Sequence, residues 1–342
     1  MAPVMEVRIG TAGWSYPSGA GTWDGIFYPA RGRGIRPRGF DELAYYAERF
    51  DTVEVNSTFY RPPSAAVTRR WVERTPPGFV FSVKLYQQFT HPKMFQAATG
   101  AGTWSVGQPD VDRCLLGLDP IAAAGKLGVL LAQFPPSFKQ DETSLSYLEW
   151  LLTRFHDWPL AVELRHRSWS DHVADTLTRL NQLGAAWVQI DEPKFRFSIQ
   201  QNQLPNVESF YYMRLHGRNA EKWWRHDTAE QRYDYLYTDA ELAPFARTAD
   251  AARRLVKKLY LYLNNHFAAK AVANAVSLKA ALGEPITGDY PQAFVERYPQ
   301  VRDLVHTHVS DLLRATSFAK AAAGSVRCLR APGERREAGT GS

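Results

Sequence analysis

Short apolar runs that end in polar side chains recur along the whole chain. Eight of them lie at residues 7–10, 53–56, 79–84, 127–133, 160–165, 187–191, 211–216 and 260–266. Runs of this length, rich in branched aliphatic and aromatic residues, are typical of buried strands. Because the polar groups follow the same end of each run, the sequence predicts an α/β fold, a (β/α)₈ TIM-like barrel, with a site on its C-terminal face.

Segments with helical spacing of apolar residues separate these strands, as expected for a parallel sheet. They cover residues 41–50, 64–74, 115–125, 143–155, 170–183, 239–256 and 267–282. Ser64, Thr143 and Ser170 are suitable N-caps for three of them. No helical pattern lies between Asp191 and Phe210, so we expect a degenerate sixth crossover.

Connections that leave the strands are longer than those that return to them. The long segments 14–40, 86–113 and 217–238 follow the first, third and seventh strands, whereas the returns are tight turns. Long loops on one face of a rigid scaffold are the usual place for binding and catalytic residues. These long βα loops therefore support a site at the C-terminal face.

The predicted domain organisation is one barrel with a C-terminal appendix. We assign residues 1–285 to the barrel, 286–320 to a helical extension packed on it, and 321–342 to a disordered tail. The extension is expected because an apolar helical stripe runs through Val301, Leu304, Val305, Leu312 and Leu313. The tail is expected because Gly, Ala, Arg and Glu dominate it.

Composition excludes several classes of protein. The formal net charge of +6 permits an anionic ligand without demanding one. The two cysteines, Cys114 and Cys328, form no Cys-x-x-Cys pair, so zinc ribbons and redox motifs are excluded. The N-terminus shows no secretory signal, and no apolar run reaches the roughly 18 residues of a membrane span, so we expect a cytoplasmic protein without a membrane partner. The oligomeric state is not predicted.

Side chains alternate along a strand, so residues of equal parity point in the same direction. On this basis the polar pairs that close the strands face the barrel axis and converge. They are Glu54, Lys84, Gln133, Glu163, Arg165, Asp191, Arg214, His216, Asn264 and His266. Carboxylates and cations confined together shift each other's pKa values, which is typical of acid/base sites. The alternative for any one residue is a structural ion pair at the rim.

The expected roles divide this set and add residues from the loops. The expected catalytic residues are Glu54, Lys84, Glu163, Asp191, His216 and His266. The expected ligand-binding residues are Trp14, Asn56, Tyr60, His91, Gln133, Arg165, Trp169, Arg214, Arg218 and Asn264. Basic side chains suit a phosphate, carboxylates and histidines suit proton transfer, and aromatic rings suit stacking on sugars or bases.

A divalent metal stays open but is not favoured. The side chains of suitable type are Glu54, His91, Glu163, Asp191, His216 and His266. No His-x-His or His-Glu-x-x-His spacing occurs, and three strand-end cations would repel a metal ion. The sequence therefore leaves the metal and any other cofactor unassigned.

Taken together, several motifs resemble one known family. They include Thr11-Ala-Gly-Trp-Ser15, Val53-Glu-Val-Asn-Ser-Thr-Phe-Tyr60, Gln133-Phe-Pro-Pro-Ser-Phe138, Ala161-Val-Glu-Leu-Arg-His-Arg-Ser-Trp169, Tyr212-Met-Arg-Leu-His-Gly-Arg-Asn219 and Asn264-Asn-His266. This set resembles the YecE-like family, catalogued as domain of unknown function 72, from about Val7 to Leu282. The resemblance implies a TIM-like barrel and supplies no function.

Three functions remain open from the sequence, which does not decide whether the protein is an enzyme. The favoured one is a hydrolase or lyase that acts by acid/base chemistry on a phosphorylated or nucleic-acid-like substrate. A non-catalytic module could instead bind an anionic metabolite or single-stranded nucleic acid; it would keep its affinity in Glu163→Gln. A glycosidase needs two carboxyls across a sugar, for which Glu163 with Glu54 or Asp191 is available.

Overall fold

The computed structural model describes residues 5–32, 36–102, 105–201 and 204–307. The strands are β1 (Glu6–Thr11), β2 (Thr52–Val55), β3 (Val80–Lys84), β4 (Leu127–Gln133), β5 (Leu160–Glu163), β6 (Ala186–Trp187), β7 (Gln189–Asp191), β8 (Tyr211–Leu215), β9 (Lys258–Leu263), β10 (Asp289–Tyr290) and β11 (His306–Thr307).

Helices alternate with the strands along the chain. They are α1 (Glu42–Ala47), α2 (Ser57–Tyr60), α3 (Ala65–Glu73), α4 (Gln87–Thr90), α5 (Pro92–Thr99), α6 (Gln108–Ala123), α7 (Glu142–Arg154), α8 (Ser168–Asp171), α9 (Val173–Gln182), α10 (Ala220–Trp224), α11 (Asp239–Ala252), α12 (Lys270–Ala281) and α13 (Gln292–Arg297). Three 3₁₀ helices lie at Ala229–Tyr233, Phe267–Ala269 and Pro299–Val301.

The main strands form two parallel sheets. Their orders are β1-β9-β8-β7 and β2-β3-β4-β5-β6. A bridge between Ala12 and Glu54 joins the edge strands β1 and β2, and the Gly13 N–H donates to the Glu54 carbonyl at 2.7 Å. At the other edge, only Val188 separates β6 from β7 along the chain. The protein is thus an α/β fold built on parallel sheets, as the alternation of strands and helices predicted.

The sixth predicted strand is split rather than continuous. Its halves β6 and β7 belong to different sheets. The described residues between Asp191 and Phe210 contain no helix, in agreement with the degenerate crossover. Two caps differ from expectation. The side chain of Asp141, not of Thr143, accepts the Ser144 N–H at 2.8 Å, because a carboxylate is a strong acceptor at a helix N-terminus. Ser170 lies within α8, and His172 is the N-cap of α9; Ser64 is the N-cap of α3 but forms no capping hydrogen bond through its side chain.

Hydroxyl groups form a layer between the strands below their C-terminal ends. The Tyr262 hydroxyl lies 2.6 Å from the Thr52 hydroxyl and donates to Ser82 at 2.9 Å. The Tyr212 hydroxyl donates to Glu54 at 2.7 Å. These four hydroxyl-bearing side chains are buried, so their mutual hydrogen bonds offset the cost of removing them from water. The layer supports the charged groups above it.

Beyond α12, the described part of the predicted extension is short and packed on the fold. Helix α13 buries Phe294, and β10 pairs in parallel with β11. Val301 ends a 3₁₀ helix, and Leu304 and Val305 lie in the turn that follows it rather than on one continuous helix. Leu312, Leu313 and the predicted tail lie outside the described residues, and the domain limits remain predictions. Within the described ranges, no helix has the length and apolar character needed to span a membrane.

We expect Gly10→Ala to destabilise the fold, because a Cβ at Gly10 would lie 2.4 Å from the Thr52 carbonyl oxygen. Overpacking of this kind costs about 1–3 kcal/mol. Urea unfolding measures the loss. Gly102→Ala is the matched control, since a Cβ there meets nothing within 4 Å. Equal stability of the two variants would contradict the close approach of β1 and β2.

Candidate functional site

Arg214 at the end of β8 binds two buried carboxylates from the other sheet. Its Nε and Nη2 donate to Glu54 at 2.9 and 2.6 Å. Its Nη1 donates to Glu163 and, at 3.3 Å, to the amide oxygen of Gln133. The three charged side chains are at most 1% exposed. The strand ends therefore converge as the parity argument predicted for these four residues.

A second chain of contacts leads from Glu163 to the end of β9. Arg165 Nε donates to Glu163 at 2.6 Å, and Arg165 Nη2 lies 3.2 Å from His216 Nε2. The Asn264 amide donates to His216 Nδ1 at 2.9 Å, and Asn56 lies 3.5 Å from Asn264. Each of these polar groups is held by a neighbour from another strand, so the arrangement is rigid.

Electrostatics fix the protonation of this cluster. Burial acts to raise the pKa of Glu163, but Arg214 and Arg165 outweigh it and hold that pKa well below its usual range. Burial acts to lower the pKa of Arg214, but Glu163 and Glu54 raise it above its usual value. Burial lowers the pKa of His216 to about 3, so its imidazole is neutral near pH 7. An ionised carboxylate and a neutral imidazole of this kind are poor proton-transfer groups at neutral pH.

A cavity of about 360 Å³ opens above the cluster. It is lined by Tyr16, Asn56, Phe59, Tyr60, Lys84, His91, Met94, Gln133, Pro135, Pro136, Arg165, Arg214, Trp223, Trp224, Arg232, Tyr233, Asn264 and His266. Loops that follow different strands contribute to this wall, as the unequal loop lengths predicted. Glu54, Glu163 and His216 lie fully buried and contact the cavity through the arginines that they bind.

Lys84 is a cation of this wall that forms no ion pair with a carboxylate among the described residues. Its Nζ lies 3.9 Å from the centre of the Phe59 ring, and the described residues offer it no hydrogen bond or ion pair. Burial, followed by the charge of Arg214, lowers the pKa of Lys84 to about 7. Its amino group is therefore able to gain or lose a proton at neutral pH.

His266 lies in an aromatic stack at the cavity wall. Its ring stacks on Tyr16 with centroids 4.2 Å apart and lies 4.8 Å from Tyr233. The Trp23 indole donates to the His266 carbonyl at 2.7 Å, which ties the loop after β1 to the loop after β9. Burial lowers the pKa of His266 to about 3, and its Nδ1 has no hydrogen-bond partner among the residues with described positions.

Asp191 does not join the converging groups, contrary to the parity prediction. It pairs with Leu215 in the β7–β8 register, which puts Ile190 beside Arg214 and turns Asp191 to the outer face. There its carboxylate accepts hydrogen bonds from Arg218 at 2.8 and 3.0 Å and from Tyr237 at 2.7 Å. Asp191 and Arg218 thus hold a loop against the sheet and do not line the cavity.

Two predicted stacking residues also lie away from the cavity. Trp169 is buried, stacks on Phe138 and donates to the Phe138 carbonyl at 2.9 Å. Trp14 packs edge-on against Trp71 with centroids 5.6 Å apart. Both indoles complete packing under the loops, which is the commonest use of a large aromatic ring.

Several residues of the site were missed by the sequence argument. Glu192 is buried and lies 3.5 Å from Arg165, and burial raises its pKa. The alternation of side chains along β7 could have identified Glu192, since Glu192 points to the same side as Ile190 and away from that of Asp191. Arg232 and Tyr233 come from the 3₁₀ helix after β8 and line the cavity. The strand pattern of the sequence could not predict Arg232 and Tyr233, because they lie on a long loop.

The predicted metal-ligand types do not come together in the described part of the chain. No group of three or more His, Cys, Asp and Glu side chains there is arranged to hold a metal ion. Glu54 and Glu163 bind Arg214 instead, and Asp191 lies on the outer face. The donor set therefore does not favour a metal at the strand ends.

The sequence that builds these sheets and strand ends matches the model of a known family. The model of the family described as "Protein of unknown function DUF72" matches residues 8–294. The chain belongs to the DUF72 family. The resemblance drawn from the motifs is thereby confirmed, and the matched residues contain every strand end of the site.

Relatives of this DUF72 protein agree in extent and in fold. The UPF0759 protein YunF of Bacillus subtilis (strain 168) is 28% identical over 297 residues, which cover 84% of this chain and 98% of YunF. A DUF72 family protein of known structure from Thermotoga maritima MSB8 is 31% identical over 82% of this chain and 100% of its own, with a TM-score of 0.67. One from Enterococcus faecalis V583 is 23% identical over 82% and 96%, with a TM-score of 0.68. None of these three names states a substrate or an activity.

We expect Arg214→Met to lower the free energy of unfolding by about 3–5 kcal/mol, because it leaves Glu54 buried without a cation and Glu163 with Arg165 alone. Denaturant titration measures the loss. Arg167→Met is the control, since it removes an exposed pair with Asp171 and should change stability little. A stable Arg214→Met variant would show that the carboxylates do not depend on Arg214.

We expect the stability of the wild-type chain to fall as the pH falls from 6.5 towards 3, in part through His266. The folded pKa of His266 lies below its unfolded value, so the unfolded chain binds the extra proton in this window and gains stability. Unfolding by urea at a series of pH values should give a flatter curve for His266→Gln. The exposed His156→Gln controls for the removal of one histidine. An unchanged slope in His266→Gln would refute the assignment.

Proposed function

We propose that the two sheets form one closed (β/α)₈ barrel and that the cavity at their C-terminal ends is the active site of a hydrolase or lyase for an anionic, phosphate-type substrate. The barrel is supported by the bridge between Ala12 and Glu54 at one pair of edges. It is also supported by the short link at Val188 between β6 and β7, where the Val188 N–H donates to Val162 at 3.0 Å. Strand ends that meet around one axis would explain the shared cluster.

The observation that carries the anion site is a cavity wall that holds three guanidinium groups, of Arg165, Arg214 and Arg232, beside the Lys84 amino group. Arg232 forms no ion pair with a carboxylate among the described residues, and its Nη2 lies 3.0 Å from His226 Nε2. Guanidinium donors that are not used within the protein suit the oxygens of a phosphate.

Proton transfer in this proposal belongs to Lys84 rather than to the carboxylates. A pKa of about 7 lets its amine act as acid or base at neutral pH. Glu54, Glu163 and His216 act as positioning residues, because they hold Arg214 and Arg165 in place. The roles assigned to Glu163 and His216 as base and acid are therefore replaced.

The geometry disfavours the glycosidase alternative. A glycosidase needs two carboxyl groups that flank the sugar. Glu54 and Glu163 are fully buried and both bind Arg214, so neither is free to face a substrate. The binding-module alternative uses the same cavity, and it differs only in the absence of turnover.

We expect Arg232→Gln to weaken the binding of inorganic phosphate by roughly tenfold or more, because a hydrogen bond to a charged group contributes about 1.5–3 kcal/mol. Isothermal titration calorimetry measures the dissociation constant. Arg225→Gln is the matched control, since Arg225 is an exposed arginine near Arg232 that does not line the cavity.

The same proteins separate the enzyme from the binding module. A panel of phosphate esters is incubated with the wild type and with Lys84→Met. Catalysis is supported if the wild type cleaves an ester or releases phosphate, and if Lys84→Met loses this activity but still binds phosphate. Binding without turnover on any member of the panel supports the module. Failure of the wild type to bind phosphate, or equal affinity of the Arg232→Gln and Arg225→Gln variants, refutes the anion site.

A further inference from the structure

Lys84 is held in a fixed position at the cavity wall. It ends β3, where it pairs with Leu131 of β4, and the Thr58 hydroxyl donates to its carbonyl oxygen at 2.6 Å. Its Nζ lies over the face of the Phe59 ring at 3.9 Å. The backbone of Lys84 is therefore anchored on both sides while its amino group faces the cavity.

The surroundings of this amino group disfavour its protonated form. Phe59, Met94 and the Pro135–Pro136 pair supply an apolar part of the wall. Arg214 and Arg165 add positive charge nearby, and with burial as the largest cause they lower the pKa of Lys84 to about 7. A desolvated lysine beside other cations presents a free amine at neutral pH, which is the form that attacks carbonyl carbons.

We propose that Lys84 is a nucleophile that forms an imine with the carbonyl carbon of a phosphorylated aldehyde or ketone. The proposal rests on the proposed anion site and narrows it to a lyase. Arg165 and Arg232 would hold the phosphate and leave the carbonyl to Lys84. The arginines remain charged and would bind the phosphate. The Lys84 amine, which binds its proton less tightly than an ordinary lysine, would carry out the covalent chemistry.

The covalent step balances without a further reactant. The Nζ lone pair attacks the carbonyl carbon to give a carbinolamine. Both hydrogens of the amine then leave with the former carbonyl oxygen as one water molecule, and a carbon–nitrogen double bond remains. When this imine is protonated, it draws electrons from the adjacent carbon–carbon or carbon–hydrogen bond, which is the basis of lyase chemistry. Hydrolysis of the imine by water restores the Lys84 amine.

Reductive trapping with dihydroxyacetone phosphate tests the proposal. The full chain is incubated with this probe and sodium cyanoborohydride, and peptide mass spectrometry locates the adduct. We expect modification of Lys84 well above that of Lys93, an exposed lysine of α5 that serves as the internal control. Excess inorganic phosphate should suppress the Lys84 adduct and leave Lys93 unaffected.

Two variants keep the test decisive. Lys84→Met should lose the cavity adduct while it still binds inorganic phosphate. If Lys84→Met does not fold, Lys84→Arg retains a cation that cannot form an imine. Labelling of Lys84 no stronger than that of Lys93 overturns the imine. If phosphate nevertheless binds, the anion site survives that result. Strong Lys84 labelling without phosphate binding supports the imine and overturns the anion site.

Discussion

The buried ion pairs of Arg214 with Glu54 and Glu163 are the interactions on which the rest of the site depends. Arg214 lies on β8 of one sheet, and the carboxylates lie on β2 and β5 of the other. One guanidinium thus ties the two sheets together from within. Both carboxylates are inaccessible to water, and Arg214 is the ion-pair partner of Glu54 and one of two arginines that bind Glu163. Burying these carboxylates without such partners would be costly. The same contact fixes the level at which the strands end relative to one another.

The charge of the cavity follows from this arrangement. Glu54 and Glu163 form ion pairs with Arg214 and Arg165. In the described part of the site, Lys84 forms no ion pair with a carboxylate. A ring of mixed charges therefore presents a basic surface to whatever enters. Buried ion pairs seldom add much stability by themselves; here they hold guanidinium groups at the cavity in fixed orientations.

The sequence predicted the parallel α/β fold and most of the converging strand ends. Alternation with period two helps to locate the strands and also shows which of their residues share a face. It failed at Asp191 because alternation tells which residues share a face, not which face is inside. That choice was made by the register with β8, which puts Ile190 beside Arg214. Trp14 and Trp169 were misplaced for a different reason: an aromatic residue near a strand end packs equally well under a loop. Arg232 and Tyr233 reach the cavity through tertiary folding of a long segment, which leaves no local pattern.

The pairing of β1 with β9 has a consequence for the order of events during synthesis. β1 leaves the ribosome before the other described strands, yet its ladder partner spans Lys258–Leu263. Until that segment emerges, β1 has a single bridge to β2, and Tyr16 and Trp23 lack the His266 that they contact. Contacts of such long sequence separation form slowly. A nascent chain therefore carries an unfinished sheet edge for most of its elongation, and the cavity is completed only after nearly all of the fold has been translated.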